Sequence, residues 1–462
     1  MGHLARQVAV ALALDRRAEP IFFSMSLAMP AVLELGMRGE YCPSYHREVM
    51  PRPLWDRYLA DRIRALIAET RARAFVFDGV APYRGLLLAR GDLPDVAFVW
   101  VRRSLWRAGV NSGSLKARRF FDLVIEPGDL AANADRGETA RRIDARRISP
   151  VTLIEQVERL PRDGAAMQLG LDPARPTALV TLRGDPLADD RQPAGAAVRD
   201  LLTNPGWQVA LPRRPIDEDR ASLPASGEIV VLPEVFPLAR YLSAFDIAVS
   251  EAGYNSFHEL LFAGIPTALV PTSAAVTDDQ EARAGWAAAH GLAIQAAEGD
   301  SHGIRSAIKQ LVDPMVRADL QRRCAALPRP SGAAQTSDIL IDLSAESGSH
   351  RVGLRERVDL GVMMAQSVVE RAIGPPLRAA ARRALHRSPE RGPRSKLQVG
   401  LMSEEADIQV SGDCRLPLLF TESLSRLSIA AGYPIEHVLQ GSSAAYRSER
   451  ERIARLYYQI DR

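Results

Sequence analysis

The chain has 462 residues, of which 47% are hydrophobic and 25% are charged. This balance is typical of a globular protein with room for two or three domains. The formal net charge of +3 is small for this length and does not indicate a nucleic-acid partner. The three cysteines, Cys42, Cys324 and Cys414, lie far apart and match neither a disulfide framework nor a zinc motif. No stretch approaches the roughly 18 consecutive apolar residues of a membrane span.

The first 155 residues alternate between strand-like and helix-like segments. Residues 4–14 predict a buried helix, and residues 54–71 predict a longer one. Four short runs rich in Val, Ile and Phe are typical of buried parallel strands, and they lie at 21–24, 74–78, 96–101 and 121–126. Alternation of this kind predicts a doubly wound α/β domain over residues 1–155.

A second alternation predicts another α/β domain over residues 165–343. Its predicted strands lie at 177–182, 208–212, 228–233, 246–250 and 267–271. In open α/β sheets ligands bind at the carboxyl ends of the strands. Two such domains in tandem therefore predict a ligand cleft between them.

The character of the sequence changes after residue 343. Residues 344–396 predict a flexible basic linker, since the run LHRSPERGPRSK at 385–396 is basic and contains Pro and Ser. Residues 397–462 regain apolar content and form a C-terminal extension to which the sequence assigns no role.

The run SEAGYNSFHELLFAGIP at 250–266 directly follows a predicted strand and allows two interpretations. Ser256 and Glu259 have the spacing of a helix capping box, and Gly264 and Pro266 are suited to end the helix. Capping does not explain Gly253 and Asn255, which bring bare N–H groups and a helix N-terminus to the strand's carboxyl end, where anions bind. The sequence leaves capping and phosphate binding open.

A similar arrangement follows the next predicted strand. In TSAAVTDDQEARAGWAAAHG at 272–291, Thr277 and Gln280 have capping-box spacing and precede a helix that ends near Gly291. The N-termini of this helix and of the helix after Gly253 are expected to face the same region. For this second helix, simple capping is sufficient to explain the Thr277–Gln280 spacing.

The whole run from residue 245 to 294 resembles the donor-binding region of GT-B glycosyltransferases, most closely the family 28 type. The shared features are a strand ending near Ser or Glu, a glycine-containing turn, a helix bearing Glu, A-G-x-P, and a D-x-Q segment. The opening MGHL similarly resembles the glycine-rich G-x-G-x-G-H loop of these enzymes. The resemblance covers about residues 1–343 and implies two Rossmann-like domains that face each other across a cleft, followed here by the C-terminal extension.

The resemblance also implies roles for individual residues. His3 would lie at the cleft as a catalytic base or phosphate contact, and Glu259 would bind the ribose hydroxyls. Asp279 and Gln280 would hold the donor sugar. No cofactor and no metal are expected, because the substrate is a nucleoside-diphosphate sugar whose leaving diphosphate is stabilised by a helix dipole and backbone amides. The diphosphate would be bound by Gly253, Tyr254, Asn255 and Ser256.

Two strand ends of the first domain are candidates for the acceptor side. Asp78 and Arg84 follow one strand, and Arg102 and Arg103 follow another. Arginine pairs suit a phosphorylated or acidic acceptor. The alternative is a solvated loop in which Trp106 covers the core.

Two features depart from the family pattern. The first loop of the second domain reads LRGD at 182–185 and is not glycine-rich. The strand and glycines that normally precede the N-terminal motif are not present before Gly2. We therefore expect the DNA upstream of Met1 to encode about 5–8 apolar residues and a short turn.

The resemblance thus implies transfer of a sugar from a nucleotide-sugar donor such as a UDP-sugar to a hydroxyl acceptor. The acceptor, which the sequence does not specify, is a glycan, a lipid-linked molecule or a small molecule. A cytoplasmic protein is expected, with peripheral contact at the inner membrane face left open. Two alternatives remain: a nucleotide-sugar 2-epimerase of the same fold, and a non-catalytic nucleotide-sugar-binding or scaffold protein. Dinucleotide, P-loop and serine-hydrolase motifs do not occur.

Overall fold

The computed structural model describes residues 2–45, 50–186, 191–213, 228–345, 353 and 356–363. Most of the predicted linker at 344–396 and all of the predicted extension at 397–462 lie outside this part of the chain. A helical segment at 356–363 is described after residue 345.

The helices and strands alternate as the sequence predicts. The helices are α1 (Gly2–Ala13), α2 (Met29–Glu34), α3 (Arg52–Thr70), α4 (Arg84–Gly91), α5 (Arg162–Gln168), α6 (Pro193–Leu202), α7 (Tyr254–Ala263), α8 (Gln280–Ala289), α9 (Ser301–Leu311), α10 (Pro314–Ala325) and α11 (Gly332–Ala345). The strands are β1 (Ile21–Ser24), β2 (Arg38–Tyr41), β3 (Ala74–Asp78), β4 (Ala97–Val101), β5 (Leu123–Pro127), β6 (Arg146–Ile148), β7 (Thr177–Val180), β8 (Gln208–Leu211), β9 (Ile229–Val231), β10 (Ile247–Ser250), β11 (Thr267–Leu269) and β12 (Ile294–Gln295).

The N-terminal parallel sheet has the order β3-β4-β5-β6. Every residue of β4 is buried, as expected for a parallel strand covered on both faces. The predicted strand at 21–24 exists as β1, but it pairs with β2 in a separate two-stranded sheet. Its placement in the doubly wound sheet was wrong. Only one of its four residues is fully buried, so β1 does not have the two covered faces of a central strand.

The C-terminal sheet has six strands in the order β12-β11-β10-β7-β8-β9. β10 runs parallel to β7 on one side and to β11 on the other. All residues of β7, β8 and β10 are buried. The carboxyl end of β10 is therefore central in the sheet, which gives the following turn and α7 a rigid base.

The described residues form two compact units. The first contains both parallel sheets and comprises Met1–Glu40, Arg73–Ala81 and Val96–Gly348. The second combines Tyr41–Ala72 and Pro82–Asp95, which hold α3 and α4, with the described part of the chain after Ser349.

Helix α11 packs on α1 within the first unit. Arg17, just beyond α1, donates hydrogen bonds to Ser337 Oγ and Asp338 Oδ1, both at 2.7 Å. At the start of α11 the Glu155 carboxylate accepts hydrogen bonds from the N–H groups of Ala333 and Ala334, at 3.1 and 3.0 Å. The last helix of the second predicted domain is thereby attached to the first helix of the first.

Candidate functional site

The turn after β10 leads into α7 without any side-chain cap. Helix α7 begins at Tyr254, Gly253 is its N-cap residue, and no side chain caps its first turn. Ser256 therefore lies inside the helix, and the predicted Ser256–Glu259 capping box was wrong. Among the described residues, the N–H groups of Tyr254, Asn255 and Ser256 have no hydrogen-bond acceptor, since the helical bonds begin with Phe257 N to Gly253 O. Such free donors at a helix N-terminus are suited to bind an anion.

The fold does not explain why residue 253 is a glycine. Gly253 has φ −65°, which any residue can adopt. A Cβ placed on it would have its nearest neighbour, Gln280 Nε2, at 3.8 Å, an ordinary contact distance. Neither backbone conformation nor crowding requires glycine here, whereas close approach of a ligand to the backbone would.

Helix α8 begins at Gln280, beside this turn. The Asp279 side chain caps it by accepting a hydrogen bond from Ala282 N at 3.0 Å, so the predicted Thr277–Gln280 capping box was wrong by two residues. Gln280 Oε1 accepts a hydrogen bond from Thr272 N at 3.2 Å, which leaves the amide nitrogen directed toward Gly253. The structure thus brings Gly253 and Gln280 together, while the Asp279 carboxylate is engaged at the helix terminus.

The N-terminus of α1 meets the N-terminus of α7. Asn255 Nδ2 donates to Gly2 O at 3.0 Å, and Arg6 Nη1 donates to Asn255 Oδ1 at 3.5 Å. The Arg6 guanidinium also lies 5.2 Å from the centre of the Tyr254 ring. These contacts place His3, on the first turn of α1, near the free N–H groups of α7.

His3 and Asp78 form a hydrogen-bonded pair. His3 Nδ1 lies 2.6 Å from Asp78 Oδ1, and the exposed fractions of the two side chains are 26% and 4%. Arg6 and Gln7 also donate to the Asp78 carboxylate, at 2.5–3.1 Å and 2.9 Å. Asp78 was predicted on the acceptor side, but its carboxylate is buried beneath His3.

The charges around this pair define the His3 tautomer. Burial opposes ionisation of Asp78, but the adjacent Arg6 and His3 outweigh it and hold the pKa of Asp78 far below its usual range. Burial lowers the pKa of His3, against the opposing effect of Asp78. His3 Nδ1 lies 2.6 Å from Asp78 Oδ1 and 2.9 Å from Arg6 Nη2. When Nδ1 carries the proton and donates it to the ionised Asp78, the lone pair of neutral His3 is on Nε2. Among the residues that the structure describes, none hydrogen-bonds to Nε2.

A buried ion cluster that the sequence did not predict lies behind the turn. Arg283, in the first turns of α8, pairs with Asp129 Oδ2 at 2.9 Å and with Asp278 Oδ1 at 2.9 Å. Both the Arg283 and Asp129 side chains are buried, with exposed fractions of 0% and 1%. The signal in the sequence was an arginine on the helix face that also carries Ala284 and Ala287.

His258 and Tyr254 fix the other side of α7. His258 Nδ1 lies 2.6 Å from Tyr254 O and Nε2 accepts from Leu130 N at 3.1 Å, so the ring is neutral with its proton on Nδ1. Burial lowers the pKa of His258 to about 4, despite the nearby Asp129. The Tyr254 hydroxyl donates to Gly128 O at 2.8 Å and accepts from Val151 N at 3.1 Å. The Tyr254 side chain is thus structural, and its backbone N–H faces the turn.

Glu259 faces the segment that joins the two parallel-sheet regions. Its carboxylate accepts a backbone hydrogen bond from Leu153, and burial raises its pKa to about 7. In this structure the side chain is therefore directed to the 150–155 segment, whereas the family resemblance implies a ribose contact.

The residues predicted on the acceptor side have different positions. Arg102, which was predicted on the acceptor side, is fully buried and pairs with Glu126 and Asp144, at 3.3 and 3.1 Å. Arg103 is partly exposed and lies 3.5 Å from Asp278. Arg84 begins α4 in the second unit. Trp106 is buried, as the alternative interpretation of this loop predicted.

The loop after β4 contacts the loop before α8. Asp279 N donates to Leu105 O at 2.9 Å, and Arg107 N donates to Thr277 O at 2.8 Å. Trp106 and Asp278 form an isolated antiparallel bridge. These backbone bonds connect the carboxyl edges of the two parallel sheets near the candidate donor site.

Neither a metal-binding cluster nor a membrane-spanning helix occurs among the described residues. In that part of the chain, no group of three His, Cys, Asp or Glu side chains is arranged to hold a metal ion. Nor does any described helix have the length and apolar character needed to cross a bilayer.

Comparison with known proteins supports this arrangement. Among solved structures, Spinosyn Forosaminyltransferase SpnP superposes with a TM-score of 0.52 at 16% identity, over 74% of this chain and 96% of that protein. The fold is therefore GT-B, with two Rossmann-like parallel-sheet regions. Residues 215–335 match the family described as Glycosyltransferase family 28 C-terminal domain. The chain thus has the GT-B fold, and the part at 215–335 is similar to the family 28 C-terminal domain.

Curated relatives match over a part of their length. The chain is 27% identical over 200 residues to the UDP-N-acetylglucosamine--N-acetylmuramyl-(pentapeptide) pyrophosphoryl-undecaprenol N-acetylglucosamine transferase of Xanthomonas euvesicatoria, covering 43% of this chain and 42% of that protein. It is 27% identical over 183 residues to the protein of the same name from Bacillus licheniformis, covering 38% of this chain and 50% of that protein. The chain thus spans half or less of the length of these relatives.

Proposed function

We propose that this protein transfers a sugar from a nucleoside-diphosphate-sugar donor to a hydroxyl group of an acceptor. The observation that carries the proposal is the uncapped N-terminus of α7, whose free N–H groups follow a glycine that the fold does not require. His3 lies beside it with an unshared lone pair. The family 28 match over residues 215–335 supports the same assignment.

In the proposed reaction the donor diphosphate binds at Gly253–Ser256, and Gln280 contacts the donor sugar. Glu259 turns from Leu153 to the ribose hydroxyls. His3 Nε2 takes the proton of the acceptor hydroxyl, the oxygen forms a bond to the anomeric carbon, and the bond from that carbon to the diphosphate oxygen breaks. The electron pair leaves with the diphosphate, which the α7 N–H groups and helix dipole stabilise. Asp78 stabilises the imidazolium that forms.

The acceptor and the location follow from the relatives as further proposals. The curated relatives are named as transferases that act on a pyrophosphoryl-undecaprenol compound, which supports a lipid-linked acceptor and peripheral contact with the cytoplasmic face of a membrane. Arg103, which is partly exposed near Asp278, is the residue we assign to an acidic group of that acceptor.

Product analysis with a labelled UDP-sugar tests the activity. Transfer gives a labelled acceptor and UDP, an epimerase gives a free isomerised nucleotide sugar, and a scaffold gives neither.

A His3→Ala variant is expected to bind nucleotide and to lose transfer by about 10²-fold or more. Transfer is expected to persist in EDTA. Release of an isomerised UDP-sugar without any acceptor would replace the proposal with the epimerase.

Gly253→Ala tests the binding site separately from the reaction. Because the new methyl group makes only ordinary contacts in the protein, the melting temperature without ligand should stay within about 2 °C of that of the unmodified chain. The rise in melting temperature on adding UDP, GDP, CDP or dTDP should fall, because the methyl group occupies the space of the phosphate. Gly285→Ala, in the middle of α8, is the matched control that should keep the nucleotide shift. An unchanged shift in Gly253→Ala would exclude this turn as the phosphate site.

A further inference from the structure

Arg283 connects three separate segments through its guanidinium group. Nε and Nη2 donate to Asp129 Oδ2 at 3.0 and 2.9 Å. Nη2 also donates to Asp278 Oδ1 at 2.9 Å, and Nη1 donates to Asp278 Oδ2 at 3.1 Å and to Ala252 O at 2.7 Å. The side chain is fully buried. Every nitrogen of the guanidinium group therefore has an acceptor.

Two of these contacts lie next to proposed donor-binding residues. Ala252 immediately precedes Gly253, and Asp278 immediately precedes Asp279 and Gln280. One planar group thus bridges the turn before α7 and the loop before α8. The third contact is to Asp129, which lies beyond the end of β5 and is not adjacent in sequence to either donor-binding segment; its Oδ1 also lies 3.6 Å from His258 Nε2 in α7.

We propose that Arg283 is a positioning residue that holds the N-termini of α7 and α8 at the spacing needed to bind one nucleotide-sugar donor. This inference rests on the proposed function of the same site. The planar guanidinium bridges an Asp278 carboxylate with two N–H groups while a third reaches the Ala252 carbonyl, a geometry that a lysine ammonium cannot reproduce. Loss of this geometry would shift the two donor-binding segments relative to each other.

The neighbouring charges keep Arg283 in place. Asp129 and Asp278 are both ionised, because Arg283 lowers the pKa of each carboxyl group against the opposing effect of burial, to about 2 for Asp278. Asp278 also faces Arg103 at 3.5 Å, and the ring of Tyr254 lies 6.0 Å from the Arg283 guanidinium carbon. Removing either carboxylate would leave the buried guanidinium charge less compensated, which is costly.

The test compares three variants of the full chain by calorimetric titration with UDP and by thermal melting. Arg283→Lys is expected to weaken UDP binding by about tenfold or more, because small displacements of binding groups are costly. Asp278→Asn keeps the shape but weakens the bridge, so we expect a loss of about threefold to tenfold. Asp129→Asn weakens the same ion cluster at a contact outside the two donor-binding segments, and its UDP affinity should stay within about twofold.

The comparison separates positioning from general destabilisation. Asp129→Asn and Asp278→Asn are expected to lower the melting temperature similarly, but only Asp278→Asn should lose UDP affinity. If Arg283→Lys does not fold, the comparison of Asp278→Asn with Asp129→Asn still distinguishes positioning from general destabilisation. Equal UDP affinity in Asp278→Asn and the unmodified chain, or equal losses in both Asp variants, would overturn the inference. If the unmodified chain binds none of UDP, GDP, CDP and dTDP, the proposed function fails and the inference fails with it.

Discussion

At the scale of single residues, the site depends on polar side chains whose ionisation is controlled by burial and by paired charges. His3 and His258 are both held neutral, but only His3 has a ring nitrogen without a partner among the described residues. When Asp78 accepts a hydrogen bond from His3 Nδ1, the lone pair of the neutral ring is on Nε2. This difference in hydrogen bonding leaves one ring nitrogen of His3 available to a ligand, whereas both ring nitrogens of His258 are engaged.

Glu259 leads to a prediction about stability and pH. Its pKa is about 7 in the folded protein and near 4.5 when exposed. A carboxyl group whose folded pKa is raised stabilises the protein below its unfolded pKa, and this contribution is lost as the pH rises through the folded pKa. We therefore expect Glu259→Gln, which keeps an acceptor for Leu153 N–H, to be more stable than the unmodified chain at pH 8. This advantage should be about 2 kcal/mol larger at pH 8 than at pH 5.

Urea unfolding at pH 5 and pH 8 measures this difference. Glu138→Gln serves as the matched control, because Glu138 is exposed, and the stability difference it causes should be the same at both pH values. A Glu259→Gln protein that is less stable than the unmodified chain at pH 8 would show that the ionised carboxylate stabilises the fold.

At the scale of secondary structure elements, the two ends of α7 differ in how they are capped. Its N-terminus has no side-chain cap, whereas Gly264 closes its C-terminus with φ +73°, the left-handed conformation that favours glycine. The sequence predicted Gly264 correctly as the C-terminal residue. A helix that is closed at one end and open at the other is consistent with ligand binding at the open end.

Gly264→Ala is expected to destabilise the protein by about 1 kcal/mol, because a Cβ in the left-handed region is strained. No other atom lies within 4 Å of the added Cβ, so the effect comes from the backbone alone. Gly285→Ala is the control, since Gly285 is inside α8 and a Cβ there meets only Gln295 Oε1 at 3.5 Å. We expect that variant to gain about 0.5–1 kcal/mol in urea unfolding. Equal effects of the two variants would contradict this account of the α7 terminus.

At the scale of the whole molecule, the two parallel-sheet regions of the first unit are joined by helix ends and by their loops. Helix α11 attaches to α1 and to the 149–155 segment, and the loop after β4 bonds to the loop before α8. These contacts bring residues that are more than 200 positions apart in the chain to one site, as in the hydrogen bond between Asn255 and Gly2.

Gly332→Ala tests the attachment of α11. A Cβ on Gly332 would collide with the Ser149 carbonyl oxygen and would lie 2.6 Å from Pro150 O. Since both are backbone atoms that cannot move freely, we expect a loss of about 1–3 kcal/mol in urea unfolding. Gly164→Ala, in α5, has no atom within 4 Å of the added Cβ and should be neutral or stabilising. A Gly332→Ala protein as stable as the Gly164→Ala control would show that this contact is not tight.

The sequence by itself determined the α/β class, nine of the twelve described strands and the helix termini marked by glycine. These features depend on local patterns of burial and backbone conformation, which nearby residues specify. The predictions from the sequence were wrong where one local pattern fits two different structures. Ser256 and Glu259 have capping-box spacing, but α7 begins two residues before Ser256, so Glu259 bonds to Leu153 instead.

Only the tertiary structure decided which charged residues meet. Asp78 lies under His3, Arg102 is buried against Glu126, and Arg283 joins Asp129 to Asp278. His3 and Asp78 are 75 residues apart, and Arg283 and Asp129 are 154 residues apart. A buried charge must be paired, but its sequence neighbourhood does not specify the partner, because the partner is supplied by whichever segment the packing of sheets and helices brings beside it.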